Sequence, residues 1–146
     1  EGDILQLPMN GARTVYVQNG CFMAATPGVT LDTTWGGARG FFSGAGLFLL
    51  KCTGTGDLFA SAYGAVHEVT ISGQPYIIDT GHILAFEEGL QYRITKVGGL
   101  KGLFLGGEGF VCEFTGHGRA WLQTRNPQSL AAWINPFRPV KARNNN

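Results

Sequence analysis

Short apolar stretches, many of them alternating or β-branched, recur about every eight to twelve residues from the start of the chain to Gln123. Glycine, asparagine, serine or proline bounds these stretches, and these residues favour turns. The pattern is typical of an all-β sandwich or barrel. It predicts strands at Ile4 to Leu7, Thr14 to Val17, Phe22 to Ala24, Val29 to Thr34, Leu47 to Cys52, Leu58 to Ala62, Val66 to Ile71, Tyr76 to Ile78, Ile83 to Phe86, Tyr92 to Val97, Phe110 to Phe114 and Ala120 to Gln123.

The strand pattern occurs twice. Residues 40–64 reappear at 102–126 with phenylalanine, G-x-G, an apolar run and T-G-x-G in the same order. Residues 15–31 align without a gap on residues 76–92. This alignment superimposes Gly20 on Gly81, Ala24 on Ala85 and Gly28 on Gly89. A fixed period of this kind indicates two copies of one supersecondary unit that share a core.

The hydrophobic period changes from strand-like to helical after Asn126. This residue can cap a helix, and Pro127 suits the first helical position. Apolar residues then follow at i, i+3, i+4 and i+7, and they are Leu130, Trp133, Ile134 and Phe137. We expect this amphipathic helix to pack on the β body rather than bind a membrane.

The sequence therefore divides into four parts. We predict a β-module at residues 1–62, its repeat at 63–125, the C-terminal helix at 126–139 and a tail at 140–146. The dipeptides Asn10-Gly11, Asn19-Gly20 and Ser72-Gly73 predict hairpin turns, because asparagine and glycine tolerate a positive φ.

Composition narrows the class of protein. Glycine provides 23 of the 146 residues, but 44% of residues are hydrophobic and only 14% are charged, which excludes a disordered or collagen-like chain. The net charge is +1. Arg138, Lys141 and Arg143 supply three of the 11 basic groups, so the rest of the chain has 8 against 10 acidic groups. The body therefore has no basic surface for nucleic acid.

The three cysteines are an odd number, and Cys52 and Cys112 each lie within an apolar run. We expect reduced, buried thiols, which suit a reducing compartment. The longest apolar run, Leu47 to Leu50, is far shorter than the roughly 20 residues that span a bilayer. The chain opens on Glu1 rather than methionine, so we expect further sequence upstream.

Four G-x-G pairs stand out, and they are Gly44/Gly46, Gly54/Gly56, Gly107/Gly109 and Gly116/Gly118. None completes a dinucleotide or P-loop motif, so we interpret them as turns. His67, His82 and His117 fall on separate segments and lack the H-x-H, H-x-x-x-H or C-x-x-C spacing of metal sites. We therefore expect no metal, no cofactor and no catalytic residues.

Asp79, His82 and Glu87 form the group that most resembles a catalytic set. Asp79 is expected to start a turn, and Glu87 to end the next strand on the face opposite His82. No serine or cysteine nucleophile completes a triad, so turn hydrogen bonds explain Asp79 better than catalysis. The aromatic residues Trp35, Trp121, Phe41, Phe42 and Phe104 have no interleaved basic residues, so we interpret them as core or interface rather than RNA platforms.

Three long segments resemble one widespread bacterial family whose mitochondrial member is named for altered inheritance of mitochondria. They are GFFSGAGLFLLKCTGTGDLFASAYGAVHEV, DTGHILAFEEGLQYRI and LFLGGEGFVCEFTGHGRAWLQTR, and the match runs from Gly2 to about Pro139. The resemblance implies tandem modules similar to the tryptophan RNA-binding attenuation protein, each a small jelly-roll-like double-stranded β-helix. A complete member has three modules, so this chain resembles the second and third.

The same resemblance implies a homotrimer whose nine modules form a ring. It implies no catalytic residues. The RNA-contacting lysines and arginines of the attenuation protein have no counterpart in these repeats, so no nucleic-acid partner is expected. The yeast relative is associated with inner-membrane organisation, which for this chain is a weak hint of scaffolding and of membrane association. The resemblance implies the cytoplasm for a bacterial chain and the mitochondrion for a eukaryotic one.

Three functional hypotheses follow. The first is a non-enzymatic, ring-forming scaffold, expected to be a trimer, that holds an unidentified protein partner. The second is a small-ligand-binding module with pockets between the β-modules. An enzyme is the third.

Overall fold

Burial alternates along the strand Leu49–Tyr63, as the sequence pattern predicts, whereas all four side chains of Ile83 to Phe86 are buried. The structure is a computed structural model that describes residues 2–33, 47–96 and 110–139. Its described part is all-β with one short C-terminal helix, which confirms the predicted fold class. The strands are β1 Gly2–Asn10, β2 Val15–Gln18, β3 Phe22–Ala25, β4 Val29–Asp32, β5 Leu49–Tyr63, β6 Val66–Ser72, β7 Tyr76–Asp79, β8 Ile83–Glu87, β9 Leu90–Lys96 and β10 Phe110–Gln123.

A long fifth strand organises each repeat. The first part of β5 pairs with β2 and β4, and its second part pairs with β1 and β3. Strand β10 pairs in the same way with β7 and β9, and then with β6 and β8. All of these pairings are antiparallel. Each repeat, β1–β5 or β6–β10, is thus two small sheets that share one strand.

The two repeats match in register as well as in strand order. Val29 faces Gly54 across β4 and β5, and Leu90 faces Gly116 across β9 and β10. Positions in the second, third and fourth strands are thus related by 90 − 29 = 61 residues, and positions in the first and fifth by 116 − 54 = 62. Each repeat also carries a register shift where its third strand meets its fifth.

Two of the G-x-G pairs lie inside strands, so the prediction that they are turns was wrong. Gly54 and Gly116 have φ values of +104° and +97°, which side chains rarely tolerate. A Cβ on Gly116 would lie 2.7 Å from the carbonyl oxygen of Gly89. These glycines let one strand bend from the first sheet into the second.

The strands predicted on either side of each bend are therefore continuous, as β5 and β10. The pairs Gly44/Gly46 and Gly107/Gly109, together with Trp35, Phe41, Phe42 and Phe104, lie outside the described residues.

The predicted hairpins were also wrong. Gly11 and Gly73 do adopt positive φ values of 83° and 81°. However, β1 and β2 pair with β5, and β6 and β7 pair with β10, so the chain crosses between sheets at these turns. Asn19-Gly20 lies in a 3-10 turn, Asn19–Cys21, whose counterpart is Thr80–His82.

Strands β2 and β8 join the two repeats. They pair antiparallel, with Tyr16 opposite Phe86, and make one sheet in the order β4-β5-β2-β8-β10-β6. Trp121, Leu84 and Ala85 of the second repeat pack in the core of the first, and Tyr16 packs in the core of the second. The expected shared core is therefore present.

The C-terminal helix α1, Pro127–Ile134, begins as predicted. The Asn126 side chain accepts hydrogen bonds from the backbone N–H groups of Gln128 at 2.9 Å and Ser129 at 3.4 Å. A 3-10 turn, Asn135–Phe137, follows it. The expected docking on the β body was wrong, because all residues from Pro127 to Pro139 are exposed. The four apolar side chains of the predicted stripe remain exposed, and Leu130 and Trp133 line a cavity with Tyr63 and His82 of the β body rather than packing tightly on it.

Candidate functional site

The histidines do not converge. His67 in β6 and His117 in β10 are exposed, whereas the Nδ1 of His82 donates a hydrogen bond of 2.8 Å to the carbonyl oxygen of Gln123. Within residues 2–33, 47–96 and 110–139, no group of three His, Cys, Asp or Glu side chains could hold a metal ion.

Asp79, His82 and Glu87 have separate structural tasks. Asp79 ends β7, and its Oδ1 accepts a hydrogen bond of 2.8 Å from the N–H of Gly81, which is the turn bond that the sequence suggested. Glu87 ends β8 and contacts two arginines. The three side chains therefore share no common partner among the bonds of the described chain.

A charged and aromatic cluster holds the two repeats together at the β2–β8 joint. It was not recognised in the sequence, because Arg13 is distant from its partners along the chain. Both Arg13 and Arg119 place a guanidinium over the Trp121 ring, at 5.2 and 5.3 Å from its centroid. Both also contact Glu87 Oε1 at 2.9 Å. The indole Nε1 donates to Glu68 Oε2 at 2.7 Å.

We call these five residues the junction cluster. Trp121 is buried there, as the sequence interpretation of a core or interface aromatic requires. Burial alone raises the pKa of Glu87, but the hydrogen bonds and charge of Arg119, together with a bond from Arg13, lower the pKa below its usual value. The Glu87 carboxylate is therefore stabilised in its charged form, in which it links Arg13 of the first repeat to Arg119 of the second.

The first repeat carries a counterpart of this cluster, and no arginine of residues 2–33, 47–96 and 110–139 covers it. The 61- and 62-residue relations place Thr26, Asp57 and Phe59 at the positions of Glu87, Arg119 and Trp121. The backbone bond is also repeated: Asp57 N–H donates to Thr26 Oγ1 at 3.0 Å, and Arg119 N–H donates to Glu87 Oε2 at 2.8 Å. The same local geometry therefore exists twice, once closed by a neighbouring repeat and once open.

The outer edge of β3 corresponds to the edge of β8 that pairs with β2, but in the described chain no strand pairs with it. Strand β8 pairs with β10 on one side and β2 on the other, whereas β3, in the described chain, pairs only with β5. Met23 in β3 is 54% exposed, and its counterpart Leu84 is fully buried. We call this surface the β3 edge.

The outer edge of β7 likewise corresponds to the edge of β2 that pairs with β8, and no described strand pairs with it. Strand β2 pairs with β5 and β8, whereas β7 pairs only with β10 among the described strands. Ile77 in β7 is 61% exposed, while its counterpart Tyr16 is 4% exposed. This surface is the β7 edge.

Two cavities lie near the 3-10 turns. One, of about 350 Å³, lies between the repeats, and its lining includes Gln18 and Cys21 from the first and Gly81 and Gln123 from the second. The Gln123 amide is already engaged, because it donates to Gly81 O and accepts from Tyr63 N–H. The other, of about 520 Å³, lies under α1.

The thiols are structural. Cys21, Cys52 and Cys112 are free and buried, as predicted for Cys52 and Cys112. Burial raises the pKa of Cys52 to about 11, and burial with the nearby charge of Glu113 raises that of Cys112 to about 12. Such thiols are poor nucleophiles at neutral pH.

Within the described part of the chain, no helix is long and apolar enough to span a membrane.

Two proteins of Streptococcus pyogenes are similar to this chain, one in sequence and one in solved structure. An uncharacterised protein of Streptococcus pyogenes serotype M6 is 30% identical over 105 residues, which is 71% of this chain and 42% of that protein. A crystal structure of a structural-genomics target from Streptococcus pyogenes matches with a TM-score of 0.76 at 25% identity, covering 93% of this chain and 60% of the other. This chain thus spans less than two thirds of either relative.

Residues 1–125 match the family described as Mitochondrial biogenesis AIM24, which agrees with the resemblance seen in the sequence. This match covers both repeats and ends just before the C-terminal helix. The chain belongs to the mitochondrial biogenesis AIM24 family.

Proposed function

We propose that this protein is a non-enzymatic scaffold that assembles head to tail into a ring. The observation that carries the proposal is that the chain bears both halves of its own internal joint, one at each end. The β7 edge corresponds to β2, and the β3 edge corresponds to β8. A second copy therefore presents the partner that each edge lacks.

The internal joint supplies the register of the proposed contact. Tyr16 faces Phe86 across β2 and β8, so the repeat relation puts Ile77 of one copy opposite Ala25 of the next. The combined sheet would then reproduce the order β4-β5-β2-β8-β10-β6 as β9-β10-β7-β3-β5-β1. Pairing of this kind also removes two open strand edges, which are otherwise sites for unwanted association.

A joint between two different surfaces is heterologous, and repeated heterologous joints close into a ring when the rotation permits. The family resemblance puts the complete ring at three chains. In a longer chain with a further repeat before β1, that repeat would occupy the β3 edge and offer its own third strand to the neighbour. The chemistry of the joint is the same in both cases.

The polar side chains support a structural role. Glu87 and Asp79, the carboxylates most suggestive of catalysis, are committed to a repeat joint and a turn. Buried side-chain nitrogen and oxygen atoms of the described residues all have hydrogen-bond partners. The unidentified component that the ring holds is a protein partner in this proposal.

A second candidate function rests on the cavity of about 350 Å³ between the repeats, which fits a small ligand. It ranks below the scaffold because the amide of Gln123 in its wall is used within the protein. Calorimetric titration with small metabolites tests it, and saturable heat that Gln18→Ala abolishes would favour it.

The ring is tested by light scattering coupled to gel filtration at micromolar concentration. We expect an oligomer for this chain, and monomers for Ile77→Lys and for Ala25→Glu, because each puts a charge into the joint. Combining both changes should restore assembly, since the lysine and glutamate would then face each other. Melting curves check that the variants fold.

A monomeric parent protein at micromolar concentration would contradict the proposal. An oligomer that survives both single substitutions would show that assembly uses another surface. Cross-linking and pull-down from the native cell would then identify the component that the assembly holds.

A further inference from the structure

The helix α1 presents large apolar side chains to solvent. Leu130, Trp133, Ile134 and Phe137 are 38%, 68%, 47% and 74% exposed. Trp133 and Phe137 lie against each other, with ring centroids 5.7 Å apart. Because an apolar face of this size is seldom left in water, the stripe indicates a binding surface.

This surface is held in place rather than carried on a loose end. The chain that leads into the helix is fixed to the β body, since Thr124 N–H donates to Ala65 O at 3.0 Å and Arg125 N–H donates to Tyr63 O at 3.1 Å. The Asn126 cap then starts the helix. A helix this short is marginal in water alone, so the cap and an occupant on the stripe both favour it.

The charged residues that follow the Asn126 cap in the sequence are all basic. There is no Asp or Glu after this cap, and the charged residues are Arg138, Lys141 and Arg143. Arg138 directly follows the stripe and is exposed. An occupant that complements this region is negatively charged at its surface and apolar beneath it.

We propose that α1 is an interfacial anchor that lies on an anionic lipid bilayer. Its apolar face would enter the boundary between headgroups and acyl chains, with Trp133 and Phe137 at headgroup depth and Arg138 against lipid phosphates. The helix has eight residues, about 12 Å, so it lies in the plane of a core that is about 30 Å thick.

A second copy of the chain fits this surface less well. Four side chains offer a few hundred Å² at most, about half of the roughly 800 Å² per partner of a standard protein interface. Two stripes packed together would also bring Arg138 close to its own copy. An anionic bilayer avoids both problems. Its headgroups carry the charge opposite to that of Arg138, and binding to it does not require a minimum interface area.

Flotation with two kinds of vesicle tests the anchor. The vesicles contain phosphatidylcholine alone, or phosphatidylcholine with an equal amount of phosphatidylglycerol. We expect the parent protein to float with the anionic vesicles and to bind the neutral ones about tenfold less. The double variant Trp133→Ser with Phe137→Ser, and separately Arg138→Glu, should each lose about tenfold on anionic vesicles.

Ile4→Ser is the matched control, because it removes an apolar side chain of 55% exposure on β1 and should change flotation less than about twofold. The melting temperature of the Trp133 and Phe137 variant should stay close to that of the parent, since both side chains are more than two-thirds exposed. A parent protein that stays at the bottom of the gradient would overturn the anchor.

Light scattering of the same variants separates this proposal from the ring. The anchor predicts that the Trp133 and Phe137 variant keeps the parent's oligomeric state. If that variant instead becomes monomeric, the stripe binds a second copy and the anchor is wrong. An Ile77→Lys variant that keeps the parent's oligomeric state and still floats would overturn the proposed ring joint and leave the anchor standing.

Discussion

The two repeats have the same strands in the same registers, yet equivalent side chains differ in burial. Leu84 is enclosed by the first repeat, while Met23 at the same place in the first repeat faces solvent. Tyr16 is covered by the second repeat, while Ile77 at the same place in the second is open. The fold of a repeat is thus local, but the environment of its edges depends on what lies next to it.

The same contrast explains the junction cluster. Trp121 and Phe59 occupy equivalent positions on the fifth strands, but only Trp121 lies under Arg13 from the other repeat. Glu87 fastens the closed joint, and Thr26 stands in its place at the open one. Matched substitutions in the two repeats therefore measure the contribution of the neighbour separately from that of the repeat itself.

The largest expected effect is at Trp121. Trp121→Ala should lower the free energy of unfolding by about 3–5 kcal/mol, because it empties a buried site. Phe59→Ala, at the half-buried equivalent position, should cost clearly less. Urea unfolding followed by circular dichroism compares the two. Equal costs would show that the neighbouring repeat adds little to Trp121.

The next pair is Leu84 and Met23. Leu84→Ala should cost about 2–5 kcal/mol, and Met23→Ala about 0.5 kcal/mol or less in dilute protein. Repeating the measurement at high concentration sharpens the comparison, since the proposed ring covers Met23. A cost at Met23 that stays small at every concentration would contradict burial of the β3 edge.

The glycine bends should show no difference between repeats. Gly54→Ala and Gly116→Ala each force a side chain into a positive φ and against the backbone carbonyl of Gly28 or Gly89. We expect about 2 kcal/mol of destabilisation from either. Thermal unfolding of both variants checks this. Markedly unequal losses would break the view that backbone geometry belongs to each repeat alone.

The smallest expected effect depends on pH. Glu87 has a lowered pKa, so its contribution is present above the unfolded pKa and is lost as the pH falls through the folded value. Glu87→Gln should therefore cost about 1.5 kcal/mol at neutral pH and progressively less below about pH 4. Urea unfolding across this range measures it, with Glu88→Gln as the control.

Glu88 has a half-exposed side chain, 3.7 Å from Lys51 Nζ, and its loss should change stability little. A pH-independent difference between Glu87→Gln and the parent would mean that the lost interaction is steric rather than ionic. The first repeat has no titrating group at this position, so the pH effect belongs to the closed joint.

Much of the fold could be predicted from repeated small residues. Ala24 and Ala85, aligned in the sequence, do face equivalent positions on β5 and β10, and Gly28 and Gly89 do lie beside the two bends. Asn126 and Pro127 predicted the start of the helix correctly. These signals are local, because each depends on the backbone near the residue itself.

The remaining features depend on contacts between distant segments. A glycine pair in a turn and one in a bent strand look alike in sequence, so Gly54 and Gly116 were misread. The period of the helix identified its apolar face but carried no information about what lies opposite. Arg13 and Glu87 are 74 positions apart, and only the β2–β8 pairing brings them together.

The arrangement of all pairing around a fifth strand also affects synthesis of the protein. In the described chain, β1, β2, β3 and β4 all pair with β5. Of these four strands only β2 pairs with another strand as well, which is β8. None of these strands can enter a sheet until Leu49–Tyr63 has left the ribosome, and at about 5–20 residues per second that delay lasts seconds. Each repeat then closes in a single late step, so the interval before β5 emerges is when the nascent chain is most exposed to aggregation and most dependent on chaperones.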